Sequence, residues 1–158
     1  MALLPTLVAA TGTLTSTGAF TDTQTVTVGG KVYTTQTVPT NVDGNVFIGA
    51  DQTATHLNLL RAINLGTGAG TLYAAAMTAN PGVRATSSDG THTVVAAKVK
   101  GTLGNSIMSS ETQTNASWGA TALSGGTGDF LAGVALILSE MQPNAQVTTA
   151  VANLTNLG

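Results

Sequence analysis

The chain has no cysteine in 158 residues, which excludes both disulfides and thiolate metal sites. Charge is nearly as scarce: five Lys and Arg and seven Asp and Glu make up 8% of the residues, for a net charge of −2. Soluble domains usually carry about 25%. The five cations are Lys31, Arg61, Arg84, Lys98 and Lys100. Only the last two are close in sequence, so there is no basic stripe of the kind that phosphate backbones require, and nucleic acid is not an expected partner. No stretch approaches the ~20 consecutive apolar residues of a membrane span, so no membrane partner is expected either. The opening "MALLPTLVAATG" is apolar but has no basic residue and carries Pro5. That pattern does not read as a signal peptide, and synthesis in the cytoplasm is the expectation.

Aromatics are also few, at 4%, yet 42% of the residues are hydrophobic. Disorder goes with low hydrophobicity and high charge, so the composition predicts a folded chain. Its length suits one domain with a modest core. Thr, Ala and Gly dominate, and a surface of small neutral residues suits repeated subunit contacts, where burying charge is costly. A homo-oligomer, such as a trimer, is the expected state.

"TGTLTSTGAFTDTQTVTVGGKVYTTQTV" alternates Thr and Val as strands do. Gly29-Gly30 reads as a two-residue hairpin turn, in a register that sets Val26 against Tyr33 and Thr27 against Val32. "NVFIG" follows as a short strand. "DQTATHLNLLRAINLG" is the clearest helix, with Asp51 or Thr53 as its N-cap and Gly66 after its last turn. Ala54, Leu57, Leu59, Leu60 and Ile63 fall on its expected buried face. "GVRATSSDGTHTVVAAKV" reads as a second hairpin turning at "SSDG", and "SIMSSETQT" as one more strand. The predicted fold is α+β: an antiparallel sheet of two hairpins plus an extra strand, one covering helix, and an apolar C-terminal helix or arm. "DFLAGVALILSEM" is apolar on nearly every side and must be buried somewhere. The expected divisions are an arm over residues 1–10, a module over 11–127 and a contact segment over 128–158.

Candidate chemistry is thin. "NVDGNVFIGADQ" alternates oxygen-bearing residues, but an EF-type loop needs Gly at its sixth position and Glu at its twelfth. Counted from Asn41, those positions hold Val46 and Gln52. Asp43-Gly44 is better read as a turn, and Asp51 as a cap. "GTGAG" closes a helix instead of opening one, so it does not fit a phosphate-binding fingerprint. His56 and His92 share no metal-ligand spacing. The serines lack a G-x-S-x-G elbow and an evident base. No catalytic residue, cofactor or metal is predicted. Trp118 in "NASWGA" is the one candidate platform for stacking a sugar, against the commoner role of a lone Trp in a core or interface. The apolar residues expected to make subunit contacts are Leu3, Leu4, Leu7, Val8, Phe130, Leu136, Ile137 and Leu138.

Several motifs then recur in one order: "TVTVGGKVYT", "NVDGNVFIGA", "LLRAIN", "GTLGNSI" and "ALSGGT". Over about residues 11 to 127 the chain resembles a small structural module of tailed-bacteriophage virion proteins, found in head decoration and tail-associated proteins. It is more distantly similar to modules of flagellar hook-associated proteins. The resemblance implies a non-enzymatic virion component, made in the bacterial host cytoplasm, whose partners are copies of itself and other virion proteins such as the major capsid protein. Capsid decoration or cementing is the leading expectation. The alternatives are a tail, baseplate or fibre-associated component, or a module binding host-surface carbohydrate.

Overall fold

Gly29 and Gly30 take φ of 60° and 80°, the left-handed backbone that a tight hairpin turn needs. They join β2 (Thr25–Val28) to β3 (Lys31–Gln36), with Val26 opposite Tyr33 and Thr27 opposite Val32. The structure, a computed structural model, describes residues 6–38 and 40–129. Among them the fold is mixed α+β, mostly sheet, with one α-helix.

The strands divide into two four-stranded sheets, where a single one was expected. In the first, β5 (Val83–Ser88), β6 (His92–Lys100), β1 (Ala9–Ser16) and β8 (Ala116–Trp118) lie in that order. In the second, the order is β4 (Asn45–Phe47), β3, β2 and β7 (Ser109–Glu111). The physical reason is alternation, which gives each hairpin one apolar face that a partner must cover. Val26, Val28 and Tyr33 of the second sheet and Leu14, Val83 and Val95 of the first belong to one core, all with no exposed surface. A second departure is β4, which pairs with β3 in parallel, Thr34 opposite Asn45, because residues 37–44 carry the chain back along the sheet.

β1 begins at Ala9, inside the segment expected to be an arm, and Ala10 is fully buried. The long "SIMSSETQT" run supplies only the three residues of β7, preceded by a short 3₁₀-helix, Thr102–Ser106. Three of the four edge strands are tied to other parts of the chain. Phe47 and Asn45 of β4 bond Leu72 and Ala74, the Asn64 amide bonds both backbone groups of Ala85 in β5, and Ser109 of β7 bonds Thr121. Such ties hinder strand addition by other chains along those edges.

Helix α1 (Gln52–Asn64) starts where Asp51 accepts the Ala54 amide at 2.7 Å. At its other end Leu65, not glycine, takes the left-handed turn, with φ of 51°. The amides of Leu65 and Gly66 then return to the carbonyls of Ala62 and Arg61 at 3.4 and 2.8 Å, as in a Schellman motif. The buried face also differs from the expected one. Thr55, His56, Asn58, Leu59, Ala62 and Ile63 face inward, while Leu57 is 38% exposed. The surface under α1 presents backbone and hydroxyl groups that need partners, so polar side chains win those places. Asn58 donates to the Phe47 carbonyl at 2.8 Å, and Thr55 Oγ1 accepts the Gly49 amide at 2.9 Å.

Candidate functional site

The acidic stretch before α1 resolves into internal fastenings. Asp43 accepts from Lys31 Nζ at 2.6 Å, from the Thr78 amide at 2.8 Å and from Thr78 Oγ1 at 2.7 Å. The Lys31 ammonium first, and the Thr78 amide next, hold its carboxyl down to about 2. Asn41 Oδ1 accepts the Ala76 amide at 2.8 Å, and Asn45 donates to Thr40. Asn41 and Asp43 thus stitch this stretch to residues 76–78, while Asn45 ties it back to Thr40. Among the described residues no three His, Asp or Glu side chains stand close enough to share a metal ion.

His56 finds a partner that sequence gave no sign of. Its Nε2 lies 2.6 Å from Ser16 Oγ at the end of β1, and its Nδ1 2.7 Å from Thr93 Oγ1 in β6. Phe20 meets the ring edge-on at 5.0 Å between centroids. The distances are those of a serine–histidine pair, but His56 has no exposed surface and Ser16 is 3% exposed. No substrate carbonyl reaches such a hydroxyl, so this is a fastening of helix to sheet. Burial holds the imidazole down to about 4, leaving it neutral at pH 7 with one donor and one acceptor between two hydroxyls. Pattern reasoning missed the cluster because Ser16, His56 and Thr93 are far apart in sequence. The available signal was the run of polar residues on an otherwise apolar helix.

Asn80 is a second clamp that the sequence did not mark. Its Nδ2 donates to the Val28 carbonyl at 2.9 Å and to the Tyr33 hydroxyl at 3.0 Å. Its Oδ1 accepts the Gly82 and Val83 amides, both at 2.9 Å. One fully buried side chain therefore joins β2, β3 and β5. Burial pushes the Tyr33 phenol up to about 12, against the opposing pull of the Asn80 bond. At the β5–β6 turn, Asp89 accepts the amides of Thr91 and His92 at 2.8 Å each. Those amides, with the His92 ring, hold Asp89 down to about 2. Among the described residues no buried side-chain nitrogen or oxygen lacks a partner.

Trp118 lies in the core, 8% exposed, with Nε1 donating to the Ser110 carbonyl at 3.2 Å. Its ring does not stand free as a stacking platform, because β8 turns it inward beside Leu14 of β1. One edge lines a shallow surface cavity of about 280 Å³ with Thr11, Gly12, Thr13 and Ser124, none of them titratable. Of the expected contact residues, Leu3, Leu4, Phe130, Leu136, Ile137 and Leu138 lie outside the described residues. Leu7 is half-buried, and Val8 is 45% exposed. The glycines of "GTGAG" lead into Leu72 and Tyr73, whose backbone groups bond Gly68 and Gly70, so no helix N-terminus is offered to a phosphate. Larger exposures belong to aliphatic side chains: Val38 at 72%, Leu103 at 67% and Met108 at 64%. No family model matches the chain, and no curated protein matches it either.

Proposed function

We propose that this chain is a structural protein of a tailed-phage virion, a capsid decoration or cement protein that binds the shell as a homo-oligomer. The observation that carries the reading is its surface: exposed aliphatic side chains stand on a protein with only 8% charged residues. Single exposed aliphatics need no explanation, but here little charge surrounds them, and docking such a surface strands few ions. The tied sheet edges and, among the described residues, the fully partnered buried side chains further suit a block that works by contact. The sequence motifs over residues 11–127 support the phage assignment.

The mechanism is area burial. Each contact removes apolar surface from water at about 25 cal/mol per Å², and symmetry adds weak contacts into avidity. An apolar C-terminal helix or arm over residues 129–158 supplies part of this surface, through Phe130, Leu136, Ile137 and Leu138, and Leu3, Leu4, Leu7 and Val8 add to it. Deleting residues 129–158 should abolish incorporation into particles while leaving the circular dichroism of the remainder intact. A truncated chain that still decorates particles at full occupancy contradicts the arm's role.

A further inference from the structure

Both ends of the described chain meet at one corner of the first sheet. Val8 and Thr127 pair, amide to carbonyl, at 2.9 and 3.3 Å. Gly101 donates to the Val8 carbonyl at 2.9 Å, and Thr102 to the Gly128 carbonyl at 3.1 Å. The chain thus leaves the described fold at Asp129, next to the end of β6 and the 3₁₀-helix. Around this point the surface is apolar. Val99 is 43% exposed, Val8 45% and Leu103 67%. Alternation along β1 puts Val8 on the same face as Ala10, which is buried. Val99 precedes Lys100, the partner of Ala9, where the β1–β6 register shifts. Gly104 closes the core just inside them, for a Cβ there would lie 3.0 Å from Ala10 and Ala97. Val8, Val99 and Leu103 therefore stand exposed around the point where the 3₁₀-helix closes the core.

We infer that this corner receives residues 130–158 of a second copy of the chain. Three features favour that occupant. The segment begins beside the corner and has 29 residues, ample length to cross to a neighbour. Its only charged residue is Glu140, and the exposed Lys100, paired with Ala9, supplies a cation beside the corner, so the charges are complementary. Finally, the sequence from Phe130 to Met141 is apolar on nearly every side. One small corner on its own copy covers only one of those sides, whereas an oligomer offers a neighbour's corner and the equivalent segments of other copies.

The inference rests on the reading of the chain as a self-assembling structural protein, and its test separates the two. A chain without cysteine allows a single reactive thiol to be placed at the exposed corner as Leu103→Cys and coupled to a benzophenone maleimide. The labelled full-length protein is mixed with unlabelled wild-type chain grown in nitrogen-15, irradiated, and analysed by peptide mass spectrometry. The expected product joins position 103 of the labelled copy to residues 130–158 of the heavy copy. Where sedimentation shows an oligomer, cross-links to residues 130–158 of the same light chain alone overturn the inference, as do cross-links that avoid this segment. In both cases the self-assembling reading survives. A chain that sediments as a monomer at all concentrations overturns both.

Discussion

At pH 7 the ring of His56 is neutral and shared between Ser16 and Thr93. Unfolded, it titrates near 6.5; folded, burial holds it to about 4. Between those values the unfolded chain binds a proton that the folded chain does not, so stability falls as pH drops through this window and is level above it. The loss amounts to at most about 3 kcal/mol. Asp43 and Asp89, both held to about 2, extend the decline below their usual range. Melting temperature should therefore fall between pH 6.5 and 4, and His56→Gln, whose amide can serve both hydroxyls, should flatten that stretch. A wild-type melting temperature that stays level across it contradicts the account. Asn80 carries a second residue-scale prediction. Asn80→Ala leaves the Val28 carbonyl and the Gly82 and Val83 amides without partners inside the core, at about 1–3 kcal/mol for each buried group left unsatisfied. Urea unfolding should show a loss above about 2 kcal/mol with little change in slope. A shift under about 0.5 kcal/mol sinks the clamp.

At the scale of elements, local chemistry was the legible part. Gly29-Gly30 sets its hairpin, Asp51 caps its helix, and Asp43-Gly44 turns the chain, each through interactions only a few residues long. What stayed hidden depends on distant partners. The face of α1 could not be read from periodicity, since Leu57 scores as well as Leu59 until the groups beneath the helix are known. Leu59 has no exposed surface, so Leu59→Ala should cost about 2–5 kcal/mol. Leu57→Ala should stay within about 0.5 kcal/mol. Thermal unfolding of the two variants separates the observed face from the periodic one, and equal losses would favour the latter. The division into two sheets was hidden for the same reason: β1 pairs with β6, whose residues lie some eighty positions away, and no turn signal encodes such a pairing. The inward turn of Trp118 follows from the β1–β8 pairing, which is equally non-local.

At the scale of the whole molecule, composition says more than any motif. A chain with 8% charge and no cysteine has no thiol chemistry and a surface of small neutral side chains. Its described residues spend their polar groups on holding two sheets and a helix together. Under the proposed virion reading the surface is the functional part, set for contacts in a repeated assembly. The most direct measurement is quantitative mass spectrometry of purified particles from a bacterium that produces this chain. A decoration protein should appear in fixed stoichiometric ratio to the major capsid protein. A ratio tied instead to the tail proteins would contradict capsid decoration, and absence from the particles would contradict the virion assignment itself.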